Sequence, residues 1–134
     1  MRMTGWTQLV GLLCASQVAL AEPIYLDCKT SGSDGSYDFG LQVDESTGKV
    51  SVTDKDGGVS FGAEATFSVD AIQWKRVLLS NRLSTSSLNY VINRMTLGVM
   101  VVYYFEPHVA RQPSRILSDR RGTCSKIDVP ERKI

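Results

Sequence analysis

The sequence predicts a small all-β domain, an antiparallel barrel or sandwich of seven or eight short strands. Hydrophobic side chains recur with a period of two over most of the chain, the signature of half-buried strands. Glycine- and aspartate-rich turns punctuate these runs at short intervals. Two cysteines, Cys28 and Cys124, sit near the two ends of the patterned region.

The elements follow in order. Ile24, Leu26 and Cys28 space a first strand. Tyr37, Phe39, Leu41 and Val43 alternate with Asp38, Gly40, Gln42 and Asp44, giving a second. After the turn at Glu45-Ser46-Thr47-Gly48, Val50 and Val52 mark a third, antiparallel to it. Asp56-Gly57-Gly58 turns the chain again, and Val59 and Phe61 open a fourth. Thr66 to Val69 is expected to form a short separate strand. Ala71 to Arg82 admits two readings: a helix capped by Asp70, or a strand with Ile72, Trp74 and Leu78 inward and Arg76 interrupting the alternation. The strand is favoured, because its neighbours are strands and the apolar stripe is narrow for a helix.

Ser84 to Ser87 reads as a loop by composition, followed by a strand through Leu88, Tyr90 and Ile92. Leu97 to Phe105 is apolar throughout and rich in β-branched and aromatic residues. It is too short to cross a bilayer as a helix and reads as a central strand buried on both faces. A hairpin through Arg94-Met95-Thr96 joins it to the strand before. Residues 106–121 are expected to form a polar connection, with room for one helical turn around Ser114 to Asp119. A last short strand then begins at Gly122.

The first 21 residues have the parts of a secretory signal: Arg2 as the single charge, an apolar stretch from Leu9 to Ala15, and small residues at Ala19 and Ala21. Thr7, Gln8, Ser16 and Gln17 keep the apolar run short of a membrane span. A lipid-modified Cys14 is the rival expectation, but Leu13 stands where a small residue is wanted. Cleavage leaves residues 22–134 as a single β domain without internal repeat or linker, in the periplasm or outside the cell. Cys28 and Cys124 are then the remaining cysteines, and an even pair in an oxidising compartment predicts a disulfide. Closing so long a loop stabilises by about 4–5 kcal/mol in the chain-entropy model.

In size, export and strand content the chain resembles the small periplasmic lysozyme inhibitors, which are exported β-barrels. Their Ser-Gly-x-x-Tyr loop and terminal Trp-x-Lys-Gly stretch do not occur in this sequence. The resemblance therefore implies architecture and carries no residue role.

Chemistry is sparsely signposted. His108 is the one histidine of the chain, it lies beside Pro107, and no Gly-x-Ser-x-Gly elbow accompanies it. Asp54 and Asp56 flank a turn, where aspartate serves the backbone. As a fragment of a calcium loop they lack the third acidic ligand and the closing glutamate. Gly57-Gly58 and Gly32-Ser33-Asp34-Gly35 are turn chemistry rather than phosphate-binding loops. No enzyme activity, cofactor, metal or nucleic-acid partner is expected.

Charge is the sharper signal. The formal net charge of +1 hides a polarity. Residues 22–70 hold three lysines against ten carboxylates; residues 71–134 hold eleven lysines and arginines against four carboxylates. Arg111, Arg115, Arg120 and Arg121 fall in one predicted loop, with His108 beside them. Guanidinium presents a planar fork of donors suited to carboxylate or phosphate. The pattern points to a non-enzymatic protein, such as an inhibitor, immunity factor or accessory subunit, that docks an envelope or secreted protein through a basic loop. An anionic glycan or lipid headgroup is the alternative ligand, and binding through an aromatic such as Trp74 is a further route to a protein partner. Against all of these stands neutralisation, in which the basic loop folds onto the acidic meander.

Overall fold

A computed structural model describes residues 22–55, 58–109 and 112–128 of the chain. The predicted signal segment with Cys14, and the residues Asp56 and Arg111, lie outside the described residues. Eight strands follow one another: β1 (Ile24–Gly32), β2 (Gly35–Asp44), β3 (Lys49–Asp54), β4 (Ser60–Phe67), β5 (Ala71–Ser80), β6 (Ser84–Asn93), β7 (Gly98–Pro107) and β8 (Arg115–Ile127). Each pairs antiparallel with the next, and β8 returns to pair with β1. The result is a closed up-and-down barrel, so the choice between barrel and sandwich resolves to barrel.

The period-two pattern explains the closure. Residues of one parity in every strand point inward: Leu26 and Cys28 on β1, Phe39, Leu41 and Val43 on β2, Val50 and Val52 on β3, Ile72 and Trp74 on β5, Tyr90 and Ile92 on β6, Val99 and Val101 on β7, and Cys124 on β8. All are buried in one core. Side chains fill an eight-stranded barrel, so this is a packed interior and not a channel. An aromatic stack forms its centre. The Trp74 and Tyr90 rings lie 4.9 Å apart and nearly parallel, and Phe39 meets Tyr90 edge-on.

Four expectations change. The short strand foreseen at Thr66 is the end of β4, which runs unbroken from Ser60. The serine-rich stretch read as a loop opens β6, and Ser86 and Ser87 are buried. The room left for a helical turn is not used, since no helix occurs among the described residues. Finally, β8 starts at Arg115 rather than Gly122 and spans 13 residues. Polar composition misled in both serine- and arginine-rich stretches, because ladder hydrogen bonds to an apolar neighbour, β7, hold them extended. On β7, Val99 and Val101 are buried inside and Val102 outside, whereas Met100 and Tyr104 on the outer face are only half covered.

The β1–β8 seam is where the first and last strands meet. Cys28 lies directly opposite Cys124 in the ladder, and a disulfide joins them. Beside it Gly122 faces inward, where the main chain of Lys29 and Thr30 occupies the space a Cβ would need. The disulfide bears out the predicted pairing and points to an oxidising, extracytoplasmic setting.

Replacing both cysteines by serine is expected to lower stability by about 4–5 kcal/mol, read from urea unfolding with the wild type as reference. Gly122→Ala, which must push β1 and β8 apart, is expected to cost about 2–3 kcal/mol in the same assay.

Candidate binding site at the open end of the barrel

The two ends of the barrel differ. At one, Arg94 of the β6–β7 turn laces three turns together. Its guanidinium donates to both oxygens of Glu45 in the β2–β3 turn, at 3.2 and 2.9 Å, and to the carbonyl of Ser68 in the β4–β5 turn at 2.8 Å. Beneath this lace is a small apolar cavity of about 240 Å³ lined by Leu26, Val43, Phe67, Ile72 and Leu97.

The opposite end carries the β1–β2, β3–β4, β5–β6 and β7–β8 connections, and it is open. A cavity of about 450 Å³ enters the barrel there between Leu78, Leu88, Tyr103 and Leu117, with Asp34, Ser118 and Arg120 on its walls. Two of these leucines owe their position to backbone irregularities. The β5–β6 register steps from Val77 to Leu79, and Leu78 is the residue skipped. The β7–β8 register steps from Tyr103↔Ser118 to Tyr104↔Ile116, and Leu117 is skipped. A β-bulge adds one residue to one strand and re-aims its side chain. Here two bulges each contribute a leucine to the same mouth.

Arginine–aromatic pairs ring this end. Arg76 lies over Phe61 at 4.4 Å, Arg115 over Phe105 at 5.1 Å, and Arg120 over Tyr37 at 5.3 Å from the ring centres. Arg76 and Arg120 occupy inward positions, opposite Leu88 and Val101 respectively. Arg120 also grips Asp34 with a two-pronged hydrogen bond, Nε to Oδ1 at 3.1 Å and Nη2 to Oδ2 at 2.8 Å. That fork holds the Asp34 carboxyl below its ordinary value of 3.8. Deeper in, the Tyr90 hydroxyl is buried beside the Tyr37 hydroxyl. Burial raises its pKa most, with the nearby Tyr37 hydroxyl and the Asp54 carboxylate adding to the shift and Arg76 opposing it.

The residues singled out in the sequence scatter. Arg115 and Arg120 reach the open end, but from strand β8 and not from a loop. Arg121 is on the outer wall, 3.3 Å from Asp119. His108 shares a 2.9 Å hydrogen bond between Nε2 and the Thr85 hydroxyl, and its N–H donates to the Leu83 carbonyl; it ties two connections together. Trp74 is in the core and presents no docking surface. Neutralisation of the basic half by the acidic half is therefore real, and Arg120–Asp34 and Arg94–Glu45 are instances of it among the described residues.

Sequence inspection turned Leu78 inward on its strand but gave Arg76, Leu78 and Leu117 no part in a site. Arg76 did leave a trace, as the charged residue at an inward position that interrupts the alternation of β5. The bulges left none. Among the described residues no group of three or more histidine, cysteine, aspartate or glutamate side chains converges as a metal site would require. Comparison with protein-family models, curated proteins and solved structures returns no match for this chain.

Two outcomes follow. Tyr90→Phe removes a buried hydroxyl that interacts with Tyr37 and is expected to change stability by no more than about 1 kcal/mol, measured by urea unfolding. Asp34→Asn is expected to destabilise at pH 7. A carboxyl depressed in the folded state stabilises above its unfolded pKa, so the deficit should vanish as pH falls below 3.8 and through the lower folded value.

Proposed function

We propose that this protein is a small exported, non-enzymatic binding protein that works in the periplasm or outside the cell. Its open barrel end receives a polypeptide partner, in the manner of an inhibitor, immunity factor or accessory subunit. The observation that carries this reading is the gathering of exposed apolar side chains at one end. Val59, Val77, Leu78, Leu79, Leu83, Val109, Ile116 and Leu117 are all exposed there, whereas Ile24, Val69, Met95 and Ile127 are spread over the other end. Exposed apolar side chains collected around a concave mouth and interleaved with arginine and tyrosine have the composition of a protein-binding surface.

A polypeptide is favoured over an anionic glycan or lipid headgroup by the state of the arginines. Arg120 is already engaged by Asp34, and Arg121 lies on the outer wall beside Asp119. What is left at the mouth is leucine, aromatic surface and the stacked guanidiniums of Arg76 and Arg115. A rigid disulfide-closed scaffold suits such a task, since a preorganised surface loses little entropy on binding.

A photo-crosslinking side chain placed at Leu83 or Leu117 in the exported protein is expected to trap a polypeptide, and one at Val69 or Met95 is not. Trapping from Val69 and Met95 alone, or from none of the four, would remove the proposal. With the partner in hand, Leu117→Glu is expected to weaken binding at least tenfold, with little response of the wild-type affinity to added salt.

A further inference from the structure

The barrel is closed by eight ladders of unequal length, and one of them stops halfway. Strands β4 and β5 pair only through Ala65↔Trp74, Thr66↔Gln73 and Phe67↔Ile72. Above these three rungs, toward the open end, Ser60–Ala63 of β4 are paired on their other side with β3, and Arg76–Ser80 of β5, apart from the skipped Leu78, with β6. Neither segment has a ladder partner on the side that faces the other. The Arg76–Phe61 contact bridges the parted strands from within the barrel. Trp74, on the last rung, keeps a buried indole N–H without an acceptor.

The main-chain N–H and C=O groups on the β4 side of Val77–Ser80 therefore face this parting without strand partners, and Val77, Leu78 and Leu79 are exposed. A row of unpaired backbone groups is a template for another extended chain. Its register selects side chains that alternate between the outer wall and the interior. The wall next to the parting is basic on the β5 side, through Lys75 outside and Arg76 inside, with Arg82 in the following turn. Glu64 is the carboxylate on β4. The inner face meets the leucine-lined mouth.

We infer that the partner polypeptide binds by strand addition: an extended segment with alternating acidic and apolar residues pairs with the free side of β5 over Val77–Ser80, beside Lys75. This rests on the open end being the binding end, and deepens that reading by naming the partner's conformation and composition. The acidic residues face Lys75 and solvent, and the apolar ones turn inward toward Leu78. The bulge at Leu78 limits the pairing to a few residues, which keeps the edge from propagating into a sheet of many copies.

The test uses the disulfide-bonded protein and a synthetic octapeptide of alternating glutamate and valine, fluorescently labelled. Its controls are the same peptide N-methylated at alternate residues, in both phases, and a lysine–valine peptide. The glutamate–valine peptide is expected to bind saturably. N-methylation in one phase, which removes the N–H groups facing β5, is expected to weaken binding at least tenfold, and in the other phase to leave it nearly unchanged. The lysine–valine peptide and the Lys75→Glu protein should each lose most of the affinity. Equal binding of both N-methylated forms and the parent, or no binding of the parent, overturns strand addition. If crosslinks at Leu83 and Leu117 persist in that case, the binding end stands and only the mode of binding falls; if they too are absent, both fall.

Discussion

The pairing of β1 with β8 is the constraint on which the structure depends. Every other ladder joins strands that are neighbours in sequence and costs little chain entropy to form. The β1–β8 ladder brings together residues 96 apart, Cys28 and Cys124, and it turns a curled sheet with two edges into a barrel. The disulfide is placed in the middle of that ladder, where it substitutes a covalent link for the most expensive loop closure in the fold. Gly122 allows the two backbones to approach, and the buried Thr30 hydroxyl, donating to the Tyr37 carbonyl at 2.8 Å, fastens the next strand to the same seam.

With closure secured on one side, the opposite side of the barrel can be incomplete. The β4–β5 ladder has three rungs, against eight between β1 and β8. The two bulges, at Leu78 and Leu117, lie on the same end as the unzipped portion of β4 and β5. Covalent closure, local opening and exposed apolar surface thus divide the barrel along its axis and around its circumference. Arg94 laces one end through Glu45 and Ser68, and the other end is left to stacked arginines that hold their charge at the mouth. Covalent closure and the proposed binding surface are drawn from different parts of one small sheet.

How much of this was legible in the sequence varies with physical cause. Strands with clean alternation, such as Tyr37 to Val43 and Leu88 to Ile92, could be read directly because side-chain parity and burial coincide. The disulfide was legible from the signal-like first 21 residues, which predict export, and from the cysteine count. The start of β6 at Ser84 and of β8 at Arg115 was not, since serines and arginines adopt strand geometry only through the hydrogen bonds of the adjacent apolar strand. The same blindness dispersed the predicted arginine cluster: a loop would have grouped Arg115, Arg120 and Arg121, but strand parity turns Arg120 inward and Arg121 outward. The mouth itself depends on bulges, and a one-residue slip in pairing has no signature in composition.

The division between a closed seam and an open one is tested most directly by hydrogen exchange of the free protein, residue by residue. The main-chain amides of β1 and β8 around Cys28 and Cys124 should be among the slowest to exchange. The amides within Val77–Ser80 that are turned toward β4 should exchange faster by orders of magnitude than those turned toward β6. Uniform protection along β5, equal to that of the β1–β8 ladder, would contradict the account.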